Sequence, residues 1–189
     1  MNHEHIKNFN EICIKLIGSL FGHEFSCDDK VTPEPTPSFP SKFMVQIGLR
    51  NRNNQVSLIL GVTPESTDLI LSDVCSLASE PEEQTELAKS ALGELCNTIA
   101  CEFAMNAKIM DEYGKLLPTP PLVWITEGAT PDFIEGDGLS GQISYKENVL
   151  FTHLSVSPPP NLSSKEEAGN WSPTQSLSIY DPHSYDDEK

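Results

Sequence analysis

Residues 83–110 read EQTELAKSALGELCNTIACEFAMNAKIM, and the fold class turns on them. At about 100° of rotation per residue, Ala88, Ala91, Leu92, Leu95, Ile99, Phe103 and Met110 gather on one side, which predicts a single long amphipathic helix from about Glu83 to Met110. A one-sided apolar stripe has to be covered, so this helix lies on another layer of the protein. Glu94 and Asn97 fall on the far side together with Ser90, Cys101 and Lys108, while the small residues Gly93, Ala100 and Ala104 run along its flank. A face of this composition lets another surface come close.

Upstream, an acidic break at Glu80–Glu83 separates this helix from a shorter one. Thr63 followed by Pro64 is a strong helix start, a capping hydroxyl and then the position where proline is tolerated. That helix is expected to run to about Ala78 and to bury Ile70, Val74 and Leu77. Before it, Phe43, Val45, Ile47 and Leu49 alternate with polar or small residues, Asn51–Asn54 supply a turn, and Val56, Leu58, Leu60 and Val62 alternate again: a β-hairpin with one face buried. Prolines 33, 35, 37 and 40 make residues 26–40 a surface crossover, locally extended. At the start, Ile6, Phe9, Ile12, Cys13, Leu16, Ile17 and Leu20 recur every three or four residues in a helix from His5 to Phe21, stopped by Gly22.

Downstream of Gly114 and the prolines at 118, 120 and 121, Leu122–Thr126 reads as a strand. An acidic, glycine-bearing loop over Glu127–Gly138 follows. Leu139–Tyr145 and Val149–Val156 then form a second hairpin, turning at Lys146–Asn148. The order helix, hairpin, helix, long helix, strand, hairpin defines an α+β domain over residues 1–157, an antiparallel-rich sheet covered by the long helix and two further helices. Residues 158–189 are rich in Pro, Ser and Asn and carry two lysines against six acids, too little apolar surface to offset the entropy of ordering; they are expected to be a disordered acidic tail.

Composition removes several function classes. With 12 Lys and Arg against 28 Asp and Glu among 189 residues, the net charge of −16 repels phosphate backbones and anionic lipid, so neither nucleic acid nor a membrane surface is an expected partner. No stretch approaches the roughly 20 apolar residues of a membrane-spanning helix, and the polar start has no apolar core behind basic residues, so the chain is expected to be cytoplasmic. Five cysteines, an odd number without framework spacing, are expected to be reduced thiols.

The segment Ser90-Ala91-Leu92-Gly93-Glu94-Leu95-Cys96-Asn97-Thr98-Ile99-Ala100 resembles the signature of the CheC and CheX family of response-regulator phosphatases, in which a glutamate and an asparagine three residues later precede Ile-Ala. Thr63-Pro64-Glu65 after the first hairpin and Leu117-Pro118-Thr119 before the next strand are similar to their counterparts in CheX-like proteins, and the resemblance extends over roughly residues 5 to 156. A bare Glu-x-x-Asn carries little, because Glu167-Ala168-Gly169-Asn170 satisfies it in the tail; placement on the outer face of the long helix gives it weight. One motif is present where CheC relatives carry two, which favours the CheX branch. The family pattern usually has glycine where Cys101 stands.

The resemblance implies a phosphatase that speeds hydrolysis of the aspartyl phosphate on a CheY-like response regulator in chemotaxis or two-component signalling. Asn97 would position the attacking water and Glu94 would dock by an ion pair to the regulator's lysine, with Ser90, Gly93 and Cys101 lining the docking face. The regulator would supply Mg²⁺, so this chain needs no metal or cofactor of its own. Family resemblance and exposed sheet edges also imply a homodimer. The alternatives are a non-catalytic CheX-like interaction domain, and an ordinary α+β domain whose Glu94 and Asn97 are simply solvated. Cys96 and Cys101 point too far apart on a helix to share a metal, His3 and His5 belong to a floppy start, His23 follows a helix end, and His153 has no partner nucleophile in the sequence. Because residues beyond 158 lack apolar periodicity, a chain truncated there should keep a cooperative thermal unfolding transition within a few degrees of the full chain, as read by circular dichroism.

Overall fold

A computed structural model describes residues 2–28, 30–33, 39–126 and 137–157. The expected loop from Glu127 lies outside the described residues as far as 136, and so does the tail from 158. Helix α1 (His3–Phe21) begins two residues before the expected start: Asn2 caps it by accepting from the His5 backbone N–H. It ends at Gly22, whose φ of 68° is the left-handed turn that a side chain would resist. The proline-bearing crossover holds two short strands, β1 (Ser26–Cys27) and β2 (Thr32–Pro33).

The first hairpin consists of β3 (Phe43–Arg50) and β4 (Gln55–Val62), paired without a slip from Phe43↔Val62 to Arg50↔Gln55. Its asparagines have separate duties. The Asn51 carboxamide oxygen accepts from the backbone N–H groups of Asn53 and Asn54, both at 2.9 Å, closing the turn. The Asn51 amide nitrogen donates to Tyr113 O at 2.7 Å and, more weakly, to Lys115 O at 3.3 Å.

Helix α2 (Pro64–Cys75) starts as its cap demands, with Thr63 Oγ1 accepting from Ser66 N at 3.2 Å. The helix is shorter than the spacing predicts. Ile70 and Leu71 are its buried apolar residues, Val74 is half-buried and Leu77 lies beyond the end, 79% exposed. The long helix α3 (Pro81–Ala104) is 24 residues, about 36 Å of axis. It does not continue to Met110. Met105 closes it as the C-cap, Asn106 turns extended, and α4 (Ala107–Tyr113) begins with the Asn106 side chain accepting from Lys108 N. The break makes four helices instead of three among the described residues, buries Ile109 and leaves Met110 44% exposed.

Two short strands, β5 (Leu117–Pro118) and β6 (Leu122–Ile125), precede the second hairpin, β7 (Asp137–Tyr145) with β8 (Asn148–Ser157). All pairings are antiparallel in one sheet ordered β1-β7-β8-β4-β3-β5, with β2 also on β7 and β6 also on β3. Alternation divides its faces. Phe43, Val45, Ile47, Leu49, Val56, Leu58, Leu60, Val62, Leu150 and Leu154 meet the helices in the main core, where they join Ile6, Phe9, Ile17, Leu92, Ile99 and Phe103. Met44, Ile59 and Phe39 form a smaller cluster on the reverse face, with Trp124 and Phe151 packed on it.

His23 follows the end of α1 as expected, whereas His5 and His153 differ from expectation. His5 is buried, with Nε2 2.9 Å from Glu112 Oε2 and its ring edge-on to Tyr113, so it helps join α1 to α4. His23 stacks on Tyr145 at 4.4 Å. His153 has a partner that strand register supplies: Ser140 lies opposite it on β7, with its hydroxyl 2.9 Å from His153 Nδ1. Burial pushes the His153 imidazole down from 6.5 to about 4, and its Nε2 has no hydrogen-bond partner among the described residues. Between those values the unfolded chain binds a proton that the folded chain refuses. Stability therefore falls as pH drops from about 6.5 to about 4, by about 3 kcal/mol from this group. Urea midpoints measured across that range should show the loss in the wild type and a shallower slope in His153→Gln.

Candidate functional site

α3 packs on β3 between α1 and α2, with β5 and β6 alongside. Its apolar side, Ala88, Leu92, Leu95, Ile99 and Phe103, is buried at 6% exposure or less and fixes how the helix is rotated. That rotation turns Ser90 and Glu94 outward as exposed residues and leaves Asn97 and Cys101 half-buried on the same side. Four of the five expected site residues therefore share one outward strip. The Glu94 carboxylate and Asn97 amide, one turn apart, have no hydrogen-bond or ion-pair partner among the described residues.

Gly93, expected on the docking face, is placed differently. It is buried, and a Cβ built on it would lie 3.4 Å from Pro121 Cγ and 3.8 Å from Val123 Cγ2. It faces the Pro121–Val123 segment, at distances where a Cβ would make ordinary van der Waals contact. The flanking Ala100 and Ala104 are buried as well. Lys108, expected on the same face, sits on α4 and pairs with Glu4, whose carboxyl is held below the usual range by that ammonium group.

The neighbouring charges are engaged in pairs. Lys89 binds Glu86 at 2.6 Å, and Lys15 of α1 binds Glu102 at 2.8 Å. Glu94 is thus an uncompensated carboxylate beside a neutral amide, able to attract a cation on an approaching surface while the amide donates to and accepts from water. Cys96, on the inner side between them in sequence, is buried, which pushes its thiol up to about 12. It stays protonated and takes no part in surface chemistry. None of the five cysteines is joined in a disulfide. No group of three or more His, Cys, Asp or Glu among the described residues could hold a metal ion. A groove of about 340 Å³ between α2 and α3, floored by Phe43, Leu71 and Ala88, is lined by neither Glu94 nor Asn97.

No protein-family model and no curated protein matches the sequence. Solved structures do. A CheC-like superfamily protein from Shewanella sp. PV-4 superposes with a TM-score of 0.67 at 16% identity, covering 83% of this chain and 99% of that one. The fold is that of the CheX-like proteins. Chemotaxis protein CheX from Vibrio vulnificus gives 0.66 at 14% identity, over 82% of this chain and 99% of its own. The CheX–CheY–BeF3–Mg²⁺ complex from Borrelia burgdorferi gives 0.62 at 17% identity, over 80% and 97%. The CheX-like α+β architecture expected from the sequence, a large antiparallel sheet under a motif-bearing helix, is therefore present. Among the described residues no helix is long and apolar enough to cross a membrane.

Proposed function

We propose that this chain is a cytoplasmic phosphatase that accelerates hydrolysis of the aspartyl phosphate on a CheY-like response regulator. The observation that carries the reading is the pair Glu94 and Asn97, without partners among the described residues and one turn apart on the outer side of α3 in a CheX-like fold. A solved CheX-like relative is in complex with CheY, which favours a regulator as the partner.

The chemistry asks little of the helper. The regulator holds the phosphoryl group on its own aspartate with Mg²⁺ and a lysine, so this chain has to place a water in line with the P–O bond and need bind no metal. Asn97 is well suited to hold that water, because an amide bonds it through both oxygen and nitrogen and brings no negative charge toward the phosphoryl oxygens. Glu94 meets the regulator's lysine and sets the register of α3 in the cleft. Cys101, one turn beyond Asn97, stands where the family pattern usually has glycine, and its side chain narrows the approach on that side.

A homodimer paired through sheet edges belongs to the same proposal; those edges are built here from the short strands β5 and β6 at one side and β1 and β2 at the other. Sedimentation at micromolar concentration should give twice the chain mass; a monomer alone removes this part.

The two site residues should fail in different ways. Asn97→Ala is expected to lower maximal dephosphorylation about 10²-fold while regulator binding stays near wild type. Glu94→Ala is expected to weaken the complex, part of the loss vanishing at high salt. Decay of phosphorylated regulator at several concentrations of each variant reads both effects. Equal rates for Asn97→Ala and wild type at saturation would sink the catalytic assignment and leave an interaction domain in its place.

A further inference from the structure

The outward strip of α3 does not stop at Asn97. Ser90, Glu94, Asn97, Cys101 and Met105 follow one another at intervals of four, three, four and four residues, the spacing that keeps side chains on one side of a helix. Met105 is 67% exposed, yet it is no frayed end: its backbone N–H donates to Cys101 O at 3.1 Å, and Asn106 starts α4 immediately behind it. The residues beside the strip are committed to the fold. The Thr98 hydroxyl donates to Glu94 O at 3.0 Å, and Glu102 is paired with Lys15.

A large apolar side chain held in water at the end of a motif helix forgoes the transfer energy that burial would return, and methionine's flexible thioether packs well against irregular surfaces. Nothing in the helix requires it there, since the inward side is already filled by Phe103 and Ala104. The strip thus has two unlike ends, an unpaired carboxylate and a thioether, separated by 11 residues or about 16 Å of helix rise.

Resting on the phosphatase reading, we infer that the docking surface runs from Glu94 to Met105, and that Met105 anchors the regulator through an exposed apolar side chain about 16 Å from the lysine that meets Glu94. The partner is one receiver domain of that chemistry, positive at the phosphorylation cleft and apolar at the neighbouring rim. Met105 is a docking residue and touches no reacting atom.

The test uses the full chain and a CheY regulator activated with beryllofluoride and Mg²⁺. Titration should show Met105→Ala and Met105→Glu binding roughly tenfold or more weakly than wild type, and Met105→Leu binding like wild type. The loss in Met105→Ala should persist at high salt, unlike that in Glu94→Ala. Dephosphorylation at saturating concentrations of Met105→Ala should equal wild type. Unchanged melting temperatures keep misfolding out of the comparison, and Met105→Ala serves where the charged variant folds poorly. Wild-type affinity in both Met105→Ala and Met105→Glu, while Asn97→Ala loses turnover, overturns the anchor and leaves the phosphatase reading standing. If the wild-type chain neither binds the activated regulator nor speeds its dephosphorylation, the anchor and that reading fall together.

Discussion

The packing of α3 against β3 is the contact on which the rest depends. Leu92, Leu95, Ile99 and Phe103 are each worth about 1.5–3 kcal/mol when removed from water, and they share one core with Val45, Ile47 and Leu49 and with α1 and α2. The outward residues contribute far less to stability. Rotating the helix by one residue, about 100°, would expose part of that stripe and force Glu94 toward an apolar layer where an unpaired carboxylate costs several kcal/mol. The inner side therefore decides what the outer side presents. The core thus fixes the face of α3 on which Asn97 stands.

Flanking pieces narrow the remaining freedom. Gly93 faces Pro121 along one border of the strip, and the Lys15–Glu102 pair ties the opposite border to α1. Met105 and Asn106 end the helix cleanly, with Asn106 Nδ2 reaching back to Asn8 Oδ1 at 3.2 Å. A strip with one amide at its middle is consistent with the proposed reaction, in which placing a water is most of the task.

Much of this is legible in residue order, for physical reasons. Thr63-Pro64, Gly22 and the alternation of residues 43–62 act through local geometry, which needs no knowledge of the partner layer. Glu94 and Asn97 opposite the apolar stripe belong to the same class of inference. The break at Met105–Asn106 is not legible, because the surrounding residues are compatible with helix and asparagine also occurs inside helices. Its second bond depends on α1 lying within reach. The side that Gly93 faces depends on where β6 passes, and the Ser140–His153 bond depends on the register of the second hairpin. His5 reads as part of a loose terminus until Glu112, more than a hundred residues away, is brought beside it. Long-range pairings of this kind leave no periodic trace.

The hairpin turn has a consequence of another sort. Surface hairpins are ordinarily where a lineage can gain or lose residues at little cost, since the loop touches nothing but water. Here a single asparagine both closes the turn and grips the carbonyl at the end of α4, and Asn54 donates to the same Tyr113 oxygen at 3.1 Å. Any change of loop length would carry those amides away from their acceptor. The turn is thereby locked in length as well as in composition by the carbonyl it shares with the end of α4.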